Sequence, residues 1–100
     1  MNTSNNLLED VKNYLDITFT DQKSDEKLMG IIDRGIRYLE NRAGNEIDFL
    51  PETIERQLLF DLCRYIRSNN LEEFEQNFAS ELIALRIRNE VKDYAEQQTV

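Results

Sequence analysis

Apolar positions recur at three- and four-residue intervals along most of the chain, the spacing that puts side chains on one face of an α-helix. In "LLEDVKNYL", Leu7, Leu8, Val11, Tyr14 and Leu15 share such a face, with Asn5 or Asn6 placed to cap the helix. The period fails in "DITFTDQKS", where Ile17 and Phe19 read as a short extended piece that returns apolar side chains to the core. A second helix is expected from residue 21 or 25 to residue 43, with Ser24 as cap and Asp25 and Glu26 at its positive end. Its Leu28, Met29, Ile32, Ile36, Leu39 and Ala43 fall on an arc of roughly 100°. Gly44 fits the left-handed residue that ends a helix. Gly30 and Gly35 sit inside it, where each costs roughly 1 kcal/mol against Ala. Close approach of another helix and simple tolerance are the two explanations.

After the connection "NEIDFLPE", Pro51 fits the first position of a third helix that runs to about Ser68. Ile54, Leu58, Leu59, Leu62, Cys63, Tyr65 and Ile66 cover nearly half its circumference, as the central helix of a bundle would show. Asn69 or Asn70 is placed to cap a fourth helix reaching residue 88 or beyond. That helix carries two apolar stripes. Leu71, Phe74, Phe78, Leu82 and Leu85 form one, and Ile83, Ile87, Val91 and Tyr94 form a second, roughly opposite. One stripe suffices for a helix on the surface of a monomer, so the second calls for a partner. The pattern therefore predicts an all-α fold: a single domain over 1–100, a small bundle of about four helices with a long central third helix and an amphipathic C-terminal helix.

Composition fits that fold. Hydrophobic residues make up 40 % of the chain, enough for a core, while 3 Gly and 1 Pro are few for a β-rich or disordered chain. No apolar run approaches the roughly 18 residues of a membrane span, so no membrane partner is expected. The first residues lack the basic-then-apolar order of a signal peptide. With a single cysteine, this points to a reducing compartment and no intrachain disulfide. Net charge is −8, and each half carries 10 acidic and 6 basic residues, which argues against phosphate neutralisation as the main task.

Catalytic chemistry has little to stand on. Histidine is absent, and no phosphate loop, zinc-protease helix or calcium loop occurs, so no enzyme, cofactor or metal is expected. Cys63 lies within an apolar face and reads as a small buried hydrophobe. Asp33, Glu40 and Asp61 are expected to solvate outer faces, and no helix is expected to present a basic recognition face. The densest charge lies in "CRYIRSNNLEEFEQNF" and just before it. Arg56, Arg64 and Arg67 lie on the polar side of the third helix with Phe60 among them, and Glu72, Glu73 and Glu75 follow the "SNN" break. One reading is a solvated surface with weak ion pairs, each worth roughly 0 to 1 kcal/mol. The other is a subunit contact in which one copy's arginines face the next copy's glutamates around Phe60.

The order of segments resembles the small head–tail connector (adaptor) proteins of tailed bacteriophages. The resemblance rests on "LLEDVKNYLDITFTD", "GIIDRGIRYLENRAG" and "LLFDLCRYIRSNNLEEFEQNFASELIALRI", the last being the most specific, and together these cover nearly all of the chain. It implies a non-enzymatic, all-helical virion protein that assembles as a homo-oligomeric ring, a dodecamer, beneath the phage portal protein. The ring would extend the DNA channel, let DNA pass without specific binding, and join the head to the next neck or tail-completion protein. The chain would reside in the host cytoplasm during assembly and then in the virion neck. The resemblance also implies, as a region only, that residues 89–100 form a C-terminal docking segment for the portal, within which the apolar Val91 and Tyr94 are the candidate contacts. Subunit contacts would draw on Arg56, Phe60, Arg64, Arg67, Glu72, Glu73, Glu75, Ile83 and Ile87. From another class, the same second stripe would suit a small cytoplasmic regulatory module that binds one protein partner through the fourth helix.

Overall fold

The computed structural model describes residues 3–18 and 21–98, with side chains at 7–18 and 21–92. The described residues form five helices and no strand: α1 (Thr3–Tyr14), α2 (Gln22–Ala43), α3 (Ile54–Arg67), α4 (Leu71–Asn77) and α5 (Ala79–Gln98). The fold is thus all-helical, and none of these helices is long and apolar enough to cross a membrane.

The hub is α2 rather than α3. With 22 residues against 14, α2 packs on α1, α3 and α5 and offers each a different strip of its surface. Leu28, Ile32, Leu39 and Ala43 are buried, as the arc predicts, and Ile36 is half-buried. From α3 come Leu58, Leu59, Leu62 and Cys63, from α1 Leu7 and Val11, and from α4 and α5 Phe74, Leu82 and Leu85, all buried in one apolar cluster. The two internal glycines of α2 separate cleanly. A Cβ on Gly35 would lie 2.9 Å from Leu59 Cδ1, so its bare backbone lets α3 pack close, whereas Gly30 faces open space. Cys63 is buried, and burial alone pushes its thiol up to about 12, so it behaves as a small hydrophobe.

Several boundaries differ from the periodicity-based expectation. The backbone of α1 is already helical at Thr3, so Asn5 and Asn6 lie inside the helix and do not cap it. Asp21 caps α2. Its carboxylate accepts from Ser24 N at 2.9 Å and from Ser24 Oγ at 2.8 Å, so Ser24 is the donor and not the cap. Ile17 is half-buried against the core as expected, while Phe19 falls outside the described residues. Pro51 does not open α3; it sits in the turn before it. Thr53 caps α3 instead, accepting from Arg56 N at 3.1 Å while donating to Leu50 O at 2.7 Å. Ile54 therefore occupies the first helical position and is exposed, off the apolar face assigned to it. Asn70 does precede α4, but its side chain makes no capping bond. Gly44 ends α2 at φ 88°, as expected.

The largest departure is the fourth helix, which breaks at Phe78 into α4 and α5. No Gly or Pro marks the break. It follows from packing: α4 lies chiefly against α3 and α5 against α2, so the two segments need different directions.

Gly30 and Gly35 give a direct check. Gly30→Ala should raise stability by about 1 kcal/mol, because it gains helix propensity with no new contact. Gly35→Val should destabilise by roughly 1–3 kcal/mol through overpacking against Leu59. Urea melts of the two variants read both, and equal effects would refute the close α2–α3 approach.

Candidate docking surface

The residues singled out in the sequence divide into those occupied within the subunit and those turned outward. Arg56 is occupied. Its guanidinium donates to Phe49 O at 2.8 Å and pairs with Asp10 of α1, tying α1, the loop before α3 and α3 together. It also lies 5.4 Å from the ring centroid of Phe60, whose other neighbour is Tyr14, at 5.6 Å between centroids. Phe60 is therefore half-buried beneath α1 and Arg56 rather than standing alone among arginines.

Glu75 is occupied too. Its carboxylate accepts from Tyr38 OH at 2.7 Å and from Arg42 Nη2 at 2.9 Å, which anchors α4 to α2. Arg42 also donates to Tyr38 OH at 3.0 Å. The aromatic layer beneath continues the clamp: Phe74 stacks on Phe78 at 4.6 Å, and Tyr38 and Tyr65 meet Phe74 edge-on. The hydrogen bond from Tyr38, reinforced by Arg42, holds the Glu75 carboxyl below the usual range. Burial, and then the bond to Glu75, pushes Tyr38 up to about 12.

Two carboxylates expected only to solvate outer faces also have partners. Glu40 accepts from Ile47 N at 3.0 Å, and Asp61 accepts from Tyr14 OH. Asp33 is half-buried.

Arg64, Arg67, Glu72 and Glu73 remain exposed. Arg64 lies 3.9 Å from Asp61 and 5.4 Å from the Tyr65 centroid, and it shares a shallow depression with Glu73 across the α3–α4 turn. Opposite signs thus already face each other within one subunit. Arg67, Glu72 and Glu73 make no ion pair with a described residue.

The outward feature is α5. Leu82, Leu85 and Asn89 turn inward and are buried, whereas Ile83, Ile87 and Val91 are 63, 55 and 63 % exposed. Their i, i+4, i+8 spacing makes a row roughly opposite the buried face. The row borders a groove of about 380 Å³ between the last turn of α2 and α5, with Asn41 and Arg42 on one rim and Arg86 and Glu90 on the other. Tyr94 lies on the helical backbone of α5, but its side chain is outside the described residues.

One surface escaped the sequence reading. Lys23, Lys27, Arg34 and Arg37 are exposed on the outward side of α2 and make no ion pair with a described residue. Their spacing of 4, 7 and 3 residues puts them on one ridge about 21 Å long. A helix with a basic face therefore does exist. Counting charge over halves of the chain averaged it away; counting per helix face would have found it.

No protein family matches the chain, and no curated protein or solved structure does either.

The Tyr38–Glu75 contact makes stability depend on pH at both ends. Because the carboxyl of Glu75 is lowered in the fold, its contribution is in place above the ordinary Glu range near ~4 and lost as pH falls through the lowered value. Tyr38 is raised, so its contribution is full below pH ~10 and lost as pH rises towards its folded value of about 12. Thermal melts across pH should show Glu75→Gln reducing the acid loss and Tyr38→Phe reducing the alkaline one.

Proposed function

We propose that this chain is a structural assembly subunit, a head–tail connector of a tailed phage or prophage particle. It forms a ring beneath the portal, extends the DNA channel and passes the genome on without binding it. The observation that carries the reading is the apolar row Ile83–Ile87–Val91, exposed on a helix whose opposite face is already buried. Leaving three branched apolar side chains in water is unfavourable by roughly 25 cal/mol per Å² of apolar surface, and a docked partner relieves it. The resemblance of "LLFDLCRYIRSNNLEEFEQNFASELIALRI" to the connector proteins supplies the kind of partner. Three of the nine subunit-contact candidates, Arg56, Phe60 and Glu75, are engaged inside the subunit, which leaves the exposed Arg64, Arg67, Glu72 and Glu73 for registering one subunit on the next. In this reading the basic ridge of α2 faces protein and not the channel.

Ile83→Asp combined with Ile87→Asp should leave the melting temperature within a few degrees of wild type, because both side chains are exposed, yet reduce incorporation into purified particles at least tenfold. Equal incorporation would sink the reading, as would the absence of the wild-type chain from particles.

Duplex DNA provides a second check. With 20 acidic residues against 12 basic ones, the protein should show no measurable binding by fluorescence anisotropy at physiological salt. Salt-sensitive binding that disappears in Lys27→Glu with Arg34→Glu would assign the ridge to the genome and overturn the conduit reading.

A further inference from the structure

Among the described residues, three of the exposed large apolar side chains, Ile83, Ile87 and Val91, stand in one row on α5. The charges around that row are matched within the subunit. On the groove side Arg42 pairs with Glu75 and Arg86 with Glu90. On the far side Arg88 pairs with Glu55, and Lys92 shares a depression with Asp48. The row is thus the centre of a nearly neutral strip, and a surface of one strong charge gains nothing by covering it. The order of residues along the strip is what selects an occupant.

That order is complementary to itself. The row recurs every four residues, so a second α5 laid antiparallel sets its own row into the gaps when a two-fold axis lies level with Arg86 or with Arg88. In either register the apolar side chains of the two helices alternate at steps of two residues, about 3 Å. Other interleaved registers overlap fewer of them. The flanking charges decide between the two. An antiparallel pair brings the same flank of both helices together, here the groove flank with Arg86 and Glu90. An axis at Arg86 sets that arginine against its own copy. An axis at Arg88 sets each Arg86 level with Glu90 of the second copy, twice over. Both side chains are exposed and free to reach across. On the other flank Ala84 lies level with Lys92 of the second copy and leaves it room, while Arg88 is drawn back to Glu55 at 3.3 Å. A parallel pair would instead turn Arg86 towards the flank of Arg88.

We propose that the free chain pairs with a second copy through α5, antiparallel, about a two-fold axis level with Arg88. Ile87 of each copy lies beside the axis, and two Arg86–Glu90 contacts close the groove flank. The apolar residues supply affinity, and the charge order supplies direction and register. The contact is isologous, so it closes with two copies and does not propagate. One helix face from each side makes a small interface of the weak, exchangeable kind. The inference rests on the reading of the row as a docking surface and deepens it: a second copy covers the row before assembly, and a particle component then takes that copy's place.

Sedimentation equilibrium of the full-length chain at millimolar concentration should show a dimer that dissociates on dilution; a monomer throughout would overturn the proposal. Arg86→Glu and Glu90→Arg each set like charges across the axis and should weaken association at least tenfold. An equimolar mixture of the two variants should recover it, because one copy then carries two acids and the other two bases. Loss without recovery in the mixture would overturn the register. Oxidation of cysteine variants reads the direction, with the buried Cys63 silent. Ile87→Cys should form a disulfide-linked dimer, its two copies being offset by two residues, about 3 Å, along the axis. Ile83→Cys should not, its two copies lying ten residues, about 15 Å, apart. Equal crosslinking of both would mean a parallel pair and overturn the proposal. The connector reading stands or falls separately. If particles need the row but the free chain is monomeric, pairing is wrong and the connector reading survives. If the chain pairs but particles lack it, the reverse holds.

Discussion

The approach of α3 to α2 at Gly35 sets the frame for everything else. Leu59, Leu62 and Cys63 lie within 4 Å of where a Cβ would stand, and all three are buried. A bulky side chain at this point would press on Leu59, Leu62 and Cys63 and push α3 away from its own strip of α2. Both α1 and α5 pack on neighbouring strips of α2, so a shift of α3 would also alter the angle at which they meet it. Interiors packed to this density pass such displacements on and do not absorb them.

Around that frame, polar contacts fix direction more than they add stability. The pair Lys12–Asp25 joins α1 to the first turn of α2, Arg56–Asp10 joins α3 to α1, Arg88–Glu55 joins α5 to α3, and Glu75 joins α4 to α2. Most are partly exposed, where a single ion pair contributes roughly 0 to 1 kcal/mol. Their number and placement still matter, because each links helices that would otherwise meet only through interchangeable apolar side chains. The outward surfaces inherit this order. The row on α5 points where it does because Leu82, Leu85 and Asn89 are committed to the inside.

Helical class, the apolar faces and the left-handed end of α2 at Gly44 were legible in the sequence because each depends on residues within one or two turns of one another. The second stripe of α5 was legible for the same reason, and Ile83, Ile87 and Val91 do stand exposed. What escaped depends on distance along the chain. Arg56 and Asp10 are 46 residues apart, and Tyr38 and Glu75 are 37 apart, so no local pattern could show that these side chains are engaged. Pro51 misled for a different reason. Proline suits both a turn and a first helical position, and the hydroxyl of Thr53, two residues on, decides between them. The break at Phe78 carried no local mark because the apolar period runs through it undisturbed.

That break gives the molecule a mechanical property. The link between α4 and α5 is a single residue, Phe78, with φ −114° and ψ 20°, and its ring is stacked on Phe74 in the aromatic layer. From Phe78 to Val91 is 13 residues of helix, about 20 Å. Over such a lever arm, a change of ten degrees at the pivot moves the tip by about 3 Å, half the spacing between neighbouring side chains on a helix face. The aim of α5 therefore depends on that pair of dihedral angles together with the seating of Leu82, Leu85 and Asn89 inside. A small adjustment at that point, taken up by the seating of Leu82 and Leu85, would re-aim the exposed row of Ile83, Ile87 and Val91.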